Sequence, residues 1–210
     1  MNKGLFISFE GLDGCGKSTA SQRLYDWMES KNIDAILTKE PGSPHVKECV
    51  DIRKLLLGED NNITSKAELM LFLADRNLHV ENLIVPNLEK GIHVISDRYA
   101  DSTRIYQQNR GFSRNKLDDL LEFATNDLVP DITFLLDVEP EVAWDRINRR
   151  NLDRMENEGL DFHRKVRDGF LRLAESFEDG HRFYVIKATD LSKDEVFALI
   201  EKKISELLWL

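Results

Sequence analysis

Apolar residues follow two rhythms along this chain. Five short runs are mostly apolar or β-branched: residues 5–9, 35–38, 92–97, 132–137 and 183–186. Between them the apolar positions recur at helical spacing. They predict helices over 17–31, about 46–57, 65–90, 113–125, 140–149, 160–176 and 193–207. Ser113 and Ser192 suit helix N-caps, and Pro140 suits a first helical turn. A mostly apolar run between helices marks a strand buried on both faces, and therefore a parallel sheet. Right-handed crossovers would place helices on both sides of that sheet, with ligands at the C-terminal strand ends. Asp13, Glu40, Asp97 and Asp137 stand at or just past those ends. No repeat, low-complexity tract or Pro/Gly-rich linker divides the chain, so residues 1–210 are read as one α/β domain.

The first strand runs into Gly11-x4-Gly16-Lys17-Ser18, and a helix runs out of it. That strand–loop–helix context is what a phosphate-binding loop requires. Glycines let successive backbone N–H groups turn toward one anion, and the helix N-terminus adds partial positive charge. Lys17 can reach the β- and γ-phosphates, and the Ser18 hydroxyl can ligate Mg²⁺. The predicted nucleotide loop is Gly11, Asp13, Gly14, Cys15, Gly16, Lys17, Ser18 and Thr19. The bland alternative is a glycine turn before a surface helix.

Charge and cysteine usage narrow the class. A net charge of −9 argues against a general nucleic-acid binder, which needs a basic face. It leaves room for a local positive pocket. The two cysteines are Cys15, inside the loop, and Cys49, so neither a disulfide nor a zinc site is expected. The first strand begins too early for a signal peptide, and no apolar run approaches the ~18 residues of a membrane span. A cytoplasmic protein is the expectation.

Other segments carry candidate chemistry. Glu40-Pro41-Gly42-Ser43-Pro44 is a rigid turn after strand two, serving either connection or function. Phe72 and Arg76, four apart on a helix, share a face and could sandwich a base, although a helical Phe is more often core. Asp97-Arg98 at a strand end places a carboxylate near Mg²⁺ and a guanidinium near a phosphate, or else forms a plain salt bridge. Ser102, Thr103, Tyr106 and Gln107 follow with groups suited to a nucleoside edge. Arg146, Arg149, Arg150 and Arg154 fall within nine residues, as a solvated basic loop or as a lid over ATP.

Taken in order, these elements resemble the thymidylate kinases of the bacterial type. The matching residues are Phe9 through Thr19, Glu40-Pro41-Gly42, Leu71-Phe72 with Arg76, Asp97-Arg98-Tyr99, Ser102-Thr103 with Tyr106-Gln107, and Asp153-Arg154-Met155-Glu156. The likeness continues through Phe162 and Val166-Arg167 and covers nearly the whole chain. It implies a P-loop kinase with a five-stranded parallel sheet, helices on both faces, a lid near 146–160 and a homodimer. It implies phosphoryl transfer from MgATP to dTMP. Lys17 and Ser18 would hold the ATP phosphates and Mg²⁺, with Asp97 beside the metal. Asp13 would meet the deoxyribose 3′-hydroxyl, and Arg98 and Arg53 would clamp the acceptor phosphate. Phe72 would stack on thymine and Arg76 would bond its edge, with Glu40, Ser102, Tyr106 and Gln107 lining the pocket. The loop has no arginine after Asp13, so the lid would supply the catalytic one, Arg149 or Arg150, with Arg154 next.

The chain departs from the family pattern in three places. Ser43-Pro44 follows Gly42 where Gly-Thr is usual. Ile105 replaces a common alanine, which would tighten the pocket or shift the base. Gln108 replaces a frequent glycine. The competing readings are a kinase for another nucleoside monophosphate or a deoxynucleoside, a P-loop switch protein, and a nucleic-acid-linked ATPase. A nucleoside kinase would not need the Arg53 and Arg98 clamp. A switch would not need four clustered arginines.

Overall fold

The computed structural model describes residues 3–58, 61–147, 159–177 and 182–209. Its elements in chain order are β1 (Phe6–Gly11), α1 (Lys17–Ser30), β2 (Ala35–Lys39), α2 (Lys47–Leu57), α3 (Ser65–His79), α4 (Val85–Glu89), β3 (His93–Asp97), α5 (Ala100–Asn109), α6 (Arg114–Thr125), β4 (Ile132–Asp137), α7 (Pro140–Ile147), α8 (Leu160–Glu175), β5 (Phe183–Lys187) and α9 (Lys193–Leu208). All strand pairs are parallel, in the order β2-β3-β1-β4-β5. The central strand β1 is buried at every position, as its mostly apolar run predicts, and that burial extends to the polar Ser8 and Glu10.

Alternation along β1 divides the core. Ile7 and Phe9 join a cluster with Leu24 and Met28 of α1 and Ile200 and Ile204 of α9. Phe6 joins Val80, Ile84, Leu88, Tyr99 and Leu121 in another. Each buried leucine or isoleucine contributes roughly 1.5–3 kcal/mol of transfer free energy. The sheet thereby becomes a rigid shelf whose C-terminal edge carries the loops after β1, β2 and β3.

The structure corrects one expected helix, adds a helix that was not expected and separates the two expected N-caps. The helix expected over 65–90 is interrupted by a wider π-type turn, Val80–Ile84. Pro86 follows at the start of α4; it has no N–H to continue the ladder, so the hydrogen bonds re-register there. Helix α5 had no apolar signal because its buried face includes Asp101, Ser102, Thr103 and Gln107. Ser113 sits at the N-cap of α6 without a side-chain cap bond, whereas Ser192 forms a full capping box with Glu195.

Ile105 also behaves differently from the expectation. It is buried and packs against Gly169 of α8, outside the residues that line the large cavity. A Cβ at Gly169 would lie 2.9 Å from Ile105 Cγ2, so the bulk at 105 is absorbed by the missing side chain at 169. That methyl is fixed to a branched Cβ and cannot swing away freely. Gly169→Ala should therefore destabilise the fold by about 1–3 kcal/mol in urea unfolding, despite alanine's better helix propensity. In an Ile105→Ala background the same change should turn stabilising by up to ~1 kcal/mol, and an unchanged penalty there would refute the pairing.

Candidate active site

The loop after β1 is built around one lysine. Lys17 is buried, and its Nζ donates to Gly11 O at 3.1 Å and Leu12 O at 2.7 Å. Gly16 takes φ +104° at the N-cap of α1, which has no side-chain cap bond and no acidic residue in its first turn. The first N–H groups of α1 thus form an anion site. Ser18 Oγ donates to Asp97 Oδ2, which brings together the two oxygen ligands the sequence nominated. Two residues of the predicted loop do not face the cavity. Cys15 is buried, its N–H donates to Leu12 O at 3.2 Å, and burial pushes its thiol up, so it packs as a neutral group. Gly11 contributes its carbonyl to Lys17 rather than a cavity wall.

Arg98 directly follows β3 with φ +73°, a left-handed conformation rare for a long side chain. Its Nη2 donates to Asp13 Oδ1 at 2.5 Å, and its Nη1 to Ser102 Oγ at 2.7 Å. Tyr106 Oη donates to Asp13 Oδ2 at 3.1 Å. Burial alone would raise the Asp13 carboxyl, but the Arg98 and Lys17 cations outweigh it and hold it well below the usual range. Burial, then the Asp13 charge, pushes the Tyr106 phenol up and keeps it protonated.

Behind β2 lies a buried polar knot. Arg76 is 2% exposed, and its Nε and Nη2 donate to Glu40 Oε2 at 2.9 and 2.6 Å. Its other partners are Thr103 Oγ1 and the Tyr99 carbonyl. His79 Nδ1 bonds Glu40 Oε1 at 2.8 Å. Glu40 therefore spends both oxygens on Arg76 and His79, and serves the pocket by fixing Arg76. Gly42 takes φ +84°, and a Cβ there would strike Arg53 at 2.5 Å. Arg53 lies across that turn and donates to Pro41 O at 2.6 Å. The Asp75 carboxylate, pushed up to about 6 by burial and Glu40, accepts from Gly42 N.

These side chains line one cavity of about 600 Å³. It gathers Asp13, Gly14, Gly16, Lys17, Ser18, Thr19, Glu40, Arg53, Phe72, Arg76, Asp97, Arg98, Ser102, Tyr106 and Gln107, all nominated from sequence. It also includes Arg146, the first arginine of the basic segment read as a lid, together with Lys39 and Leu57, which the sequence did not single out as binding residues. Lys39 directly precedes Glu40 at a strand end, a signal that was available. Arg146 donates to Gly14 O at 3.3 Å from the last turn of α7. Arg149, Arg150, Arg154 and most of the predicted lid lie outside the described residues. Among the described residues no cluster of three or more His, Cys, Asp or Glu forms a metal cage, and no helix is long and apolar enough to cross a membrane.

Comparison with known proteins gives one answer. The family model described as thymidylate kinase matches residues 9–200. The thymidylate kinase of Carboxydothermus hydrogenoformans is 42% identical over 99% of this chain and 94% of its own length. Those of Oleidesulfovibrio alaskensis and Bifidobacterium longum are 42% and 43% identical, each over 97% of this chain and 98% of their own. A match that spans the phosphate loop, the Arg98 turn and the Arg76 pocket in one sequence order goes well beyond a shared P-loop, and the chain belongs to the thymidylate kinase family.

Proposed function

We propose that the protein transfers the γ-phosphoryl group of ATP to the phosphate of dTMP, giving ADP and dTDP. The carrying observation is that one cavity unites the phosphate loop, the Arg53 and Arg98 guanidinium groups and the Phe72, Arg76, Gln107 set. A deoxynucleoside acceptor would leave those two arginines without an anion to bind.

Base selection follows from two remaining valences. A guanidinium has five N–H groups, and Arg76 uses four on Glu40, Thr103 and Tyr99. One Nη1 N–H remains to meet a base carbonyl. Gln107 Nε2 donates to Glu68 Oε1 at 3.3 Å, and a carboxylate only accepts, which fixes the amide orientation. Gln107 Oε1 is buried and has no partner among the described residues. An acceptor on Gln107 and a donor on Arg76, two residues that line one cavity, would match the imide N–H and adjoining carbonyl of thymine. Cytosine, with an acceptor ring nitrogen and an amino group, mismatches both. Phe72, half-buried on the cavity wall, offers the stacking face.

The chain's own groups then align and neutralise. Lys17 and the start of α1 hold the donor phosphates, and Arg98 and Arg53 hold the acceptor phosphate, with Asp13 orienting Arg98. Such alignment and charge stabilisation is most of what phosphoryl transfer asks of a protein. The Ser18 and Asp97 oxygens suit Mg²⁺, which takes hard oxygen ligands and keeps several from water and phosphate. When bound, Mg²⁺ would neutralise charge on the transferring phosphates. Arg149 or Arg150 would add the catalytic guanidinium that the Asp13-Gly14 loop lacks. A homodimer is supported by the exposed apolar side chains Leu55, Met70, Phe123 and Val129 on or beside α2, α3 and α6, which pack side by side. A cytoplasmic location rests on the family resemblance.

The test is ADP release with MgATP against dTMP, dUMP, dCMP, dGMP, UMP and thymidine. Turnover should favour dTMP over dCMP by at least about 10²-fold. Turnover with thymidine alone would overturn the phosphate clamp. Lys17→Ala and Arg98→Ala should each lose at least about 10² in kcat/KM, and near-normal values in both would remove them from the machinery. Of Arg149→Ala and Arg150→Ala, one should depress kcat far more than it raises KM; if neither does, the catalytic arginine lies elsewhere.

A further inference from the structure

Helix α5 begins without a cap of its own. Its N-cap residue is Tyr99, whose side chain makes no cap bond. The acceptor comes instead from Glu10 of β1, which is fully buried and does not line the cavity. Glu10 Oε1 accepts from Tyr99 N at 2.8 Å and Ser102 N at 3.2 Å. Glu10 Oε2 accepts from Ser102 Oγ at 2.6 Å. The same Ser102 oxygen accepts from Arg98 Nη1 at 2.7 Å. A hydroxyl has one proton to give, and here it goes to Glu10, leaving lone pairs for Arg98.

We propose that Glu10 is a positioning residue for Arg98, capping α5 across the strands and fixing the guanidinium through Ser102. The relay has a direction that only a carboxylate supports. A neutral acid or an amide at this oxygen would donate to Ser102 Oγ, and the hydroxyl proton would lose its acceptor. Glu10 also holds the N–H immediately after Arg98, whose left-handed backbone costs about 1–3 kcal/mol and persists only under such constraint.

The electrostatics make this relay sensitive to pH. Burial, then the Asp101 charge, pushes the Glu10 carboxyl up to about 7, against the lowering pull of Arg98 and of the Ser102 and Tyr99 bonds. Asp101 is itself held by Arg104 and Arg182. Leu135, the register partner of Glu10 on β4, is apolar. Because the folded pKa lies above the ordinary 4.5, the folded state takes up the proton first. Glu10's contribution to stability therefore rises as pH falls from about 7 toward 4.5, while the hold on Arg98 is released over the same interval.

The proposal rests on the dTMP kinase reading for its kinetic readout, and a ligand-independent readout keeps the two separable. Glu10→Gln conserves size and retains an acceptor for Tyr99 N. It should raise KM for dTMP about 10-fold or more while leaving KM for ATP within about 2-fold. Ser102→Ala, which cuts the relay without touching β1, should shift KM for dTMP in the same direction. The double variant Glu10→Gln/Arg98→Ala should be no worse than Arg98→Ala alone. In the wild type, KM for dTMP should climb as pH falls through about 7, beyond the shared effect of the substrate phosphate near pH 6, and in Glu10→Gln that extra rise should vanish. Independently of any acceptor, the Arg98 Nε–H NMR signal should be sharp in the wild type and broadened in Glu10→Gln. A Glu10→Gln protein with a lowered Tm but unchanged KM for dTMP, pH profile and Arg98 signal would overturn the proposal. So would effects that multiply in the double variant. If the wild type does not turn over dTMP, the kinase reading fails, and the Arg98 signal alone decides the positioning role.

Discussion

The Arg98–Asp13 ion pair is the contact on which the site depends. The two residues follow β3 and β1, strands that pair in register, so the sheet delivers both loops to one edge. The sheet does not aim the side chains. Arg98 adopts a left-handed backbone, and its guanidinium is bracketed by Asp13, Ser102 and the face of Tyr106. Charge-assisted bonds of this kind are roughly twice as strong as neutral ones. Asp13 is correspondingly locked in its charged form, because two cations outweigh its burial. The pair ties the loop after β1 to the turn after β3.

The Glu40–Arg76 pair answers a different problem. Both side chains are almost fully buried, and removing two charges from water costs several kcal/mol per ion. The attraction offsets that cost only when nearly every lone pair and N–H finds a partner. Here Glu40 has Arg76 and His79, and Arg76 has Glu40, Thr103 and Tyr99. An apolar pair of equal volume would stabilise the fold as well or better. What it could not provide is a rigidly held guanidinium at the cavity wall.

Most of the scaffold was legible because it depends on local pattern. The mostly apolar runs located all five strands, and the phosphate loop announced itself by glycine spacing between a strand and a helix. The features that escaped share a cause: they depend on partners far apart in sequence. Helix α5 buries polar side chains, which no apolar periodicity can flag. The π-type turn comes from Pro86 forcing a new register, where sequence periodicity ran straight through. Ile105 looked like a pocket residue from its neighbours Tyr106 and Gln107, but a helix turns it 100° away, onto Gly169 of α8. Glu10 stood in the stretch from Phe9 to Thr19 with no role assigned to it, since its partners lie 89 and 92 residues further on. Sequence named the groups that meet ligand more readily than those that hold them in place.

The phosphate loop shows how holding and binding are reconciled in one side chain. A lysine ammonium has three N–H groups. Two of them on Lys17 point at the carbonyls of Gly11 and Leu12, and the remaining neighbour is the weakly accepting Cys15 sulfur at 3.9 Å. The carbonyl dipoles therefore fix the position of the charge without exhausting it. A phosphate oxygen can take the third N–H without displacing the other two, so little reorganisation stands between the folded loop and the bound one. Ser18 follows the same logic, giving its proton to Asp97 and leaving its lone pairs unspent on that bond. In both cases the fold satisfies enough of each polar group to orient it, and leaves enough for the ligand to complete the set.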